Sequence, residues 1–585
     1  MLKDDPLCRV LYVDLSHRSF RVEERPDLFE ESLGGAGVAI RLLTGECPQG
    51  ADPLGPDNPV ILAVGPLVGL FPMASKTVAM FKSPHTGNLG ESHAGGRSAV
   101  AIRMAGYGAI VIQGASPTPV YLVVDGDAIH FRDASALWGV RSSYTVGDVL
   151  RERESSSGLR TIMRIGRAGE RGVTYASVIT ETYRHFGRLG LGAVLGAKQL
   201  KALVISGNCT LPVSDRRAYR KVYDDVFQTA TESSRMQKYH DLGTPMNVLP
   251  LNAISALPTR NLQEAHFDQA EAISGEQLAE QYLGRRVACA HCPVACIHLA
   301  ALRLPHPKEP YFYKTSMLGY DYEPIYAMGS MLGGSDVPGM LQLMDEVEIQ
   351  GLDAMSTGVV LAWATEMLEK KLISTEQTDG LALSWGDYPI YIQAVQRIVN
   401  QPNDFYRALA RGVAHAASVY GGTDFALSFG GNEMPGYHTG PACYLTYLTG
   451  ARHSHLDSAG YSLDEKAQEK GEALTPEGVA KALLDEERWR QVLSSLVICY
   501  FARGVYTPEI VQQALAVAGL NWSSDDLARL GTEALQRKHD FKVREGFDLS
   551  QLRVPRRILE TPSALGPLDE DFIKRAIQQF AGGTS

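Results

Sequence analysis

One stretch decides the fold class of the N-terminal part of the chain: Ala105-Gly-Tyr-Gly-Ala-Ile-Val-Ile-Gln-Gly-Ala-Ser-Pro-Thr-Pro-Val-Tyr-Leu-Val-Val124. It contains two short apolar runs, Ala109–Gln113 and Val120–Val124, that are rich in β-branched residues and separated by Gly and Pro. Apolar runs bounded by turn-forming residues are typical of short β-strands. The stretch therefore predicts two strands joined by a turn.

Outward from this stretch, the chain divides into a β-rich part and a helical part. Similar runs recur at Val10–Val13, Val60–Val64 and Ala202–Ile205, whereas apolar residues further on recur at helical spacing. The predicted helices are Arg216–Glu232, Gly275–Tyr282, Val337–Gln350, Met355–Lys371, Tyr388–Val399, Asp404–Tyr420, Pro476–Ser495, Thr507–Ala518, Ser524–His539 and Asp569–Phe580. We expect an α+β multidomain protein with a β-rich domain over 1–210 and helical domains over 211–420 and 421–585. The sequence shows no internal repeat.

The composition is that of a globular protein without a large cationic surface. The 585 residues are 45% hydrophobic and carry a formal net charge of −10. Nucleic-acid binders more often carry a basic field, so we expect no nucleic-acid partner. The longest apolar stretch, Pro59–Met73, is broken by Gly and Pro and is shorter than the ~20 residues of a membrane span. Because Met1–Pro6 lacks the apolar region of a signal peptide, we expect a cytoplasmic protein.

Three of the eight cysteines stand close together in Cys289-Ala-His-Cys292-Pro-Val-Ala-Cys296. Iron–sulfur cubanes are held by four Cys thiolates, so this array predicts a cluster whose fourth ligand comes from elsewhere. A tetrahedral zinc site that includes His291 or His298 is the rival prediction, and simple burial of the thiols is the third. The spacing does not choose the fourth cysteine from the remaining five, which are Cys8, Cys47, Cys209, Cys443 and Cys499.

Glycine, with 57 residues, is concentrated in two segments that suit close backbone approach to a ligand. The first is Ser83-Pro-His-Thr-Gly-Asn-Leu-Gly-Glu-Ser-His-Ala-Gly-Gly96, and the second is Arg184-His-Phe-Gly-Arg-Leu-Gly-Leu-Gly-Ala-Val-Leu-Gly-Ala-Lys198. Glycine lets backbone N–H groups reach a polyanion, which Arg184, Arg188 and Lys198 would neutralise. A tight turn with close helix packing is the structural alternative.

A set of ordered motifs extends over residues 5–560. It consists of Gly34-Gly-Ala-Gly-Val-Ala39, Lys82-Ser-Pro-His-Thr-Gly87, Ser92-His-Ala-Gly-Gly96, Ala105–Gly114, Ile165-Gly-Arg-Ala-Gly-Glu170, Gly190–Ala202, Cys289–Cys296, Asp321-Tyr-Glu323, Ala327-Met-Gly329 and Gly351-Leu-Asp-Ala-Met-Ser-Thr-Gly358. Together they resemble the aldehyde:ferredoxin oxidoreductase family of tungsten or molybdenum enzymes. The resemblance implies an N-terminal double-β-barrel-like base followed by two mainly helical domains, in agreement with the pattern of strands and helices.

The resemblance also implies a set of cofactors. These are tungsten (or molybdenum) held by two pyranopterins, a Mg²⁺ ion between the pterin phosphates, and a [4Fe–4S] cluster for which Cys499 is the fourth ligand beside Cys289, Cys292 and Cys296. The implied pterin-binding positions are Lys76, His93, Gly95, Arg184, His185, Phe186, Gly187, Glu348, Leu352, Asp353 and Ile498. The first glycine segment and Arg184–Gly187 would hold the phosphates and magnesium, partly through backbone carbonyls.

Glu323 and His455 match the proton-transferring residues of the family. From the residues alone, a salt-bridged Glu and a satisfied buried His are the simpler interpretations, and His453 is a nearby alternative to His455. The implied reaction oxidises an aldehyde to a carboxylic acid, and electrons pass singly through the cluster to ferredoxin or a small iron–sulfur subunit.

Several positions depart from the family pattern. Lys76 stands where Arg is typical, which turns a bidentate contact into a point charge. Arg184-His-Phe-Gly-Arg188 carries two bulky residues in place of two alanines, and Ser494-Ser-Leu-Val-Ile-Cys499 lacks the Asp and Gly of a pterin motif. Two alternatives therefore stay open: the active-site subunit of an aromatic or unsaturated acyl-CoA reductase of the benzoyl-CoA type, and a non-catalytic electron-relay subunit. A dimer-bridging iron motif is absent at Gln342–Asp345, and both a homodimer and a hetero-oligomer remain open.

Overall fold

The structure is a computed structural model that describes residues 5–156, 158–181, 183–213, 215–306 and 308–583. Two six-stranded sheets form the N-terminal part. The first contains β1 (Arg9–Asp14), β2 (Ser19–Glu24), β3 (Val60–Ala63), β4 (Thr77–Lys82), β5 (Leu89–Ala94) and β6 (Ala109–Gln113). The second contains β7 (Val120–Asp125), β8 (Ala128–Asp133), β9 (Leu159–Ile165), β10 (Val178–Ile179), β11 (His185–Phe186) and β12 (Leu200–Gly207).

The two sheets share one topology. Their strand orders are β2-β1-β6-β3-β4-β5 and β8-β7-β12-β9-β10-β11, so that each strand of the first sheet corresponds to the strand six places later. In each sheet the first and sixth strands pair in parallel and the other neighbours pair antiparallel. The fold thus contains a structural repeat that the sequence did not reveal, because strand order and direction are compatible with many different residues.

Six helices accompany these sheets. They are α1 (Pro26–Ser32), α2 (Gly35–Glu46), α3 (Ser98–Met104), α4 (Ser143–Arg153), α5 (Arg167–Glu170) and α6 (Leu191–Ala197). Helix α2 begins at the Gly34-Gly35 motif, where Gly35 has a φ of +38° and a Cβ would lie 2.1 Å from the carbonyl oxygen of Ser494. Glycine is therefore required there for close packing between the N-terminal domain and a C-terminal segment.

The remainder is mainly helical, as predicted. Its helices are α7 (Arg216–Glu232), α8 (Ser234–Asp241), α9 (Val248–Ala253), α10 (Gly275–Gln281), α11 (Tyr322–Met328), α12 (Val337–Gln350), α13 (Ala354–Glu369), α14 (Tyr388–Asn400), α15 (Asp404–Leu409), α16 (Val413–Tyr420), α17 (Pro441–Thr449), α18 (Gly460–Lys470), α19 (Pro476–Ser495), α20 (Pro508–Val517), α21 (Ser524–Arg544), α22 (Arg557–Glu560) and α23 (Glu570–Gly583). The α+β class, with a β-rich N-terminal part before helical domains, is confirmed. The domain limits stay predictions.

Three details differ from the predicted elements. The single helix expected over Asp404–Tyr420 is two helices, because Gly412 adopts a φ of +90° between them. A three-stranded antiparallel sheet, which the helical pattern did not predict, contains β13 (Leu283–Val287), β14 (Ile297–His306) and β15 (Glu309–Tyr320). A short hairpin, β16 (Ser428–Phe429) with β17 (Asn432–Glu433), was also not predicted. In the described part of the chain, no helix has the length and apolar character of a membrane span.

Candidate active site

A cavity of about 350 Å³ is lined by residues from both N-terminal sheets and from the helical part. The predicted site residues that line it are Lys76, His93, Gly95, Arg184, His185, Gly187, Glu323, Glu348, Leu352, Asp353, His455, Ile498 and Cys499. Four predicted site residues do not line it, namely Phe186, Cys289, Cys292 and Cys296, and the Phe186 side chain is fully buried in the hydrophobic core. Successive side chains of a strand point to opposite faces, which explains why His185 of β11 reaches the cavity and Phe186 does not. Any contact of Phe186 with a cofactor would have to use its backbone.

Backbone hydrogen bonds beside the cavity bring Cys499 to the segment that contains the other three predicted cluster ligands. The N–H of Met73 donates to the carbonyl of His291, and the N–H of Cys499 donates to the carbonyl of Met73, both at 3.0 Å. The N–H of Ala290 donates to the carbonyl of Gly96 at 2.9 Å. Met73 and His291 are both in the left-handed region, with φ of +63° and +57°. Such strained backbone persists where the surrounding contacts fix it, and functional sites are a common place for it.

The charges of the four cysteines act on one another. Burial raises the pKa of the Cys292 thiol to about 12, and the charges of Cys289, Cys499 and Cys296 act in the same direction. Thiolates in such a position would be stabilised by a nearby cation or by a coordinated metal.

His298, a candidate ligand of the alternative zinc site, lies against two backbone carbonyls. Both ring nitrogens of His298 are engaged, with Nδ1 3.2 Å from the carbonyl oxygen of Cys296 and Nε2 3.0 Å from that of His240. Within the described ranges, no group of three or more His, Cys, Asp or Glu side chains is arranged to hold one metal ion. In a cubane each thiolate binds a different iron atom, so the four sulfur atoms do not have to surround a single metal ion.

Gly95 lies between the cysteine loop and the cationic side of the cavity. A Cβ at this position would lie 2.8 Å from Cys289 Sγ and 3.2 Å from Lys76 Nζ. Only glycine therefore fits without displacing one of these groups. The charges of Cys499 and Cys289 raise the pKa of Lys76 even though burial opposes them, so the side chain stays a cation.

Two arginines that line the cavity have side-chain N–H groups without a hydrogen-bond partner in the described structure. Arg184 Nη1 lies 2.7 Å from Asp321 Oδ2, and Arg188 Nε lies 3.3 Å from Asp353 Oδ2. Arg184 Nε and Arg188 Nη1 are buried and have no hydrogen-bond partner among the residues that the structure describes. A buried N–H without a partner is costly, so these two donors suit an anionic ligand.

The two carboxylates predicted to contact a pterin are held by different means. Asp353 is the N-cap of α13, where its side chain accepts hydrogen bonds from the N–H groups of Met355 and Ser356. Glu348 is paired with His185, with Glu348 Oε1 2.8 Å from His185 Nε2. The bulky residue that departs from the family pattern therefore fixes a carboxylate of the site.

Glu323 and His455 form a pair at the cavity. Glu323 Oε1 lies 3.1 Å from His455 Nε2 and accepts a hydrogen bond from Tyr437 Oη at the same distance. Burial raises the pKa of Glu323, but the hydrogen bond and charge of His455 outweigh it and hold the net pKa below its usual value. His455 Nδ1 is buried without a partner in the described structure.

Two sequence alternatives are resolved by these contacts. His453 lies away from the cavity, with Nε2 2.9 Å from Lys542 Nζ and Nδ1 2.9 Å from the carbonyl oxygen of Tyr447. His455 is therefore the histidine beside Glu323. Lys198 donates from Nζ to the carbonyls of Pro56 and Gly114 at 3.0 and 2.9 Å, so its predicted contact with a phosphate is wrong.

Several residues that line the cavity were not predicted from the sequence, because they lie far along the chain from the residues that they contact. Asn432, Tyr437, Arg452, Tyr461 and Tyr500 line the cavity, and none of them belongs to a motif quoted above. Tyr437 is 114 residues from the carboxylate that it contacts. Arg188 could be found from the sequence because it follows Gly187 in a glycine-rich segment, although it was not among the positions that the resemblance implied.

Family models place the chain in a known class. The model of the N-terminal domain of aldehyde ferredoxin oxidoreductase matches residues 10–207, and the model of domains 2 and 3 matches residues 221–580. The chain therefore belongs to the aldehyde ferredoxin oxidoreductase family, and the resemblance seen in the sequence is confirmed.

Individual relatives agree with this assignment. The chain is 31% identical to the tungsten-containing aldehyde ferredoxin oxidoreductase of Thermococcus kodakarensis and 30% identical to that of Pyrococcus furiosus. Both alignments cover 96% of this chain and 92% of the relative. An aliphatic sulfonate oxidoreductase, WOR-like subunit, of Pyrococcus furiosus is 29% identical over 70% of this chain and 66% of its own length.

A solved structure shares the whole fold. The active site complex BamBC of benzoyl coenzyme A reductase, in complex with 1,5-dienoyl-CoA, matches with a TM-score of 0.82 over 99% of this chain and 94% of that chain. The sequence identity is 21%, so this match establishes the fold alone.

Proposed function

We propose that this protein is a tungsten (or molybdenum) bis-pyranopterin oxidoreductase that oxidises an aldehyde to a carboxylic acid. The observation that carries the proposal is the Glu323–His455 pair, which faces the same cavity as the predicted cofactor-binding residues. Membership of the family supports it, as do relatives that are tungsten-containing aldehyde ferredoxin oxidoreductases.

The cavity residues fit the implied cofactor. Lys76, Arg184 and Arg188 would hold the pterin phosphates, because the two arginines have buried N–H groups without partners among the described residues and Lys76 is a cation that lines the cavity. Gly95 leaves room for close backbone approach, and Glu348 and Asp353 would accept hydrogen bonds from a pterin ring. His93 and the Arg184–Gly187 segment would offer the carbonyls for magnesium.

A bound tungsten centre would supply the two-electron oxidation, and Cys289, Cys292, Cys296 and Cys499 would hold a [4Fe–4S] cluster that passes electrons one at a time. The acceptor would be ferredoxin or a ferredoxin-like iron–sulfur subunit. Since Gly95 lies against Cys289 on one side and lines the cavity on the other, the predicted cluster adjoins the cofactor site.

The protein's own residues manage the protons of this reaction. An aldehyde and one water yield a carboxylic acid, two electrons and two protons. Glu323 is ionised at neutral pH because its pKa lies below the usual value, so it can accept a proton from water or substrate. His455 shares that proton through Nε2, and the hydrogen bond from Tyr437 fixes the carboxylate. The burial of His455 and Tyr437 restricts the access of bulk water to the pair.

A second function is the reduction of an aromatic or unsaturated acyl-CoA. The observation that favours it is the bulky His185, which lines the cavity and pairs with Glu348 where a small residue is usual. The fold shared with a benzoyl-CoA reductase complex is compatible with it. Anaerobic assays with a reduced low-potential donor separate the two functions. Electron uptake with benzoyl-CoA, without oxidation of any aldehyde, would establish this second function in place of the first.

A third function, a non-catalytic electron relay, follows from the altered motif before Cys499. Ser494, at the position of the missing Asp, is paired with Tyr500 through hydroxyl oxygens 2.5 Å apart and does not line the cavity. Two pterins per chain in the purified protein would exclude a relay without a complete cofactor.

A further inference from the structure

An aromatic wall extends from the Glu323–His455 pair along one side of the cavity. Tyr437 packs against His455 with ring centroids 5.1 Å apart and is stacked on Tyr461 at 4.6 Å. A second stacked pair, Tyr239 and Phe501, has centroids 4.2 Å apart and ring planes within 14° of parallel. All four aromatic residues line the cavity.

The two stacked pairs are neighbours. Tyr239 belongs to α8 and Tyr461 to α18, and both side chains line the same cavity. Tyr239 and Tyr437 are buried, while Tyr461 and Phe501 are half-buried. The wall therefore leads from the buried His455 and Tyr437 towards more accessible rings.

The chemistry of the wall selects a kind of substrate. Pro324 and Leu456 add apolar surface beside the rings. Aromatic side chains have only two side-chain torsions, so they form a rigid flat surface, and the face or edge of another aromatic ring packs favourably against it. A flexible or saturated substrate gains only the burial of its apolar area.

We propose that this wall binds the ring of a planar aromatic aldehyde and places its carbonyl group beside Glu323 and His455. The proposal rests on the proposed function for the aldehyde group, and on the wall for the aromatic part. Tyr461 and Phe501 are then the specificity-determining residues. Their rings are partly accessible, and in the described structure neither side chain forms a hydrogen bond with the acid–base pair.

The test compares benzaldehyde with cyclohexanecarbaldehyde, which has the same carbon skeleton without the planar ring. The variants are Tyr461→Leu and Phe501→Leu, and the matched control is Tyr311→Leu, which removes a 92% exposed aromatic residue near the tip of the β14–β15 hairpin. We expect the two wall variants to lower kcat/KM for benzaldehyde about three- to tenfold, mainly through KM, with little change for cyclohexanecarbaldehyde. The control should change neither value.

Two results would overturn the proposal. One is an equal loss for both aldehydes, which indicates a structural role, and the other is no change for either. If the tungsten-loaded protein oxidises no aldehyde, the proposed function fails, and the wall is judged by binding alone. Saturation-transfer NMR with benzyl alcohol and cyclohexylmethanol then decides: preferential binding of benzyl alcohol that both wall variants weaken supports the wall, and binding that they leave unchanged contradicts it.

Discussion

Glu323 Oε1 lies 3.1 Å from His455 Nε2, and the same oxygen accepts a hydrogen bond from Tyr437. The three residues come from α11, from the loop before α17 and from the loop before α18, and they meet at the wall of one cavity. A carboxylate held by two donors in this way is both ionised and fixed in orientation, which are the properties required of a general base.

Replacing Glu323 by glutamine should remove this base while keeping the size of the side chain. General acid–base catalysis contributes about 10²- to 10⁴-fold, so we expect Glu323→Gln to lower kcat for aldehyde oxidation by at least about 100-fold. The metal and iron content of the variant serves as its control and should equal that of the unmodified protein. Activity within twofold of normal would show that Glu323 is not the base.

The pH dependence should follow the Glu323 carboxyl. Its pKa is held below its ordinary value of 4.5, chiefly because the contact with His455 outweighs burial. Activity that needs the ionised carboxylate is present above this pKa and is lost as the pH falls through it. In His455→Ala the contact is gone and burial dominates, so the acid limb of the kcat/KM profile should move to higher pH. An acid limb that does not move would contradict the assignment.

Substitution of Gly95 should disturb the cysteine loop. A Cβ there would lie 2.8 Å from Cys289 Sγ, so we expect Gly95→Ala to be purified with less iron and sulfide than the unmodified protein. Gly504→Ala is the matched control, because Gly504 follows Cys499 by five residues and its Cβ would meet nothing within 4 Å. Equal iron content in the two variants would argue against a cluster beside Gly95.

The fourth cluster ligand can be tested by comparing two cysteines. Cys499→Ser should lower the iron content and change the electron paramagnetic resonance spectrum of the reduced protein, because serine is a poor substitute for a thiolate ligand. Cys209→Ser, which alters a half-buried cysteine outside the site, should leave both unchanged. If Cys499→Ser keeps a normal cluster, another residue is the fourth ligand.

The sequence predicted those parts of the fold that depend on local periodicity. Helices α12 and α19 have the bounds expected from apolar spacing, because each has a core-facing stripe and Pro in its first turn. The sheet β13–β15 was missed, since Leu283–Val287 is largely polar and exposed and its strands are defined by pairing across the hairpin. The repeated sheet topology was missed for the same reason, because the pairing of distant strands leaves little trace in local composition.

The sequence predicted those site residues that stand close together in a short motif. The cysteine array and the Arg184–Arg188 segment were visible as sequence features, but the choice of Cys499, Glu323 and His455 came from the family resemblance. The aromatic wall could not be predicted. Tyr239, Tyr437, Tyr461 and Phe501 are scattered over 263 positions of the chain, and only the packing of α8 and α18 around the cavity brings them together.

The most direct test of the central claim measures cofactor and activity in the same sample. The protein is purified anaerobically, tungsten, molybdenum and pterin are determined per chain, and aldehyde-dependent reduction of viologen is followed. We expect two pterins for each tungsten or molybdenum atom and an activity proportional to the metal content across preparations. Aldehyde oxidation by protein that contains neither metal would contradict the account, as would fully loaded protein that oxidises no aldehyde.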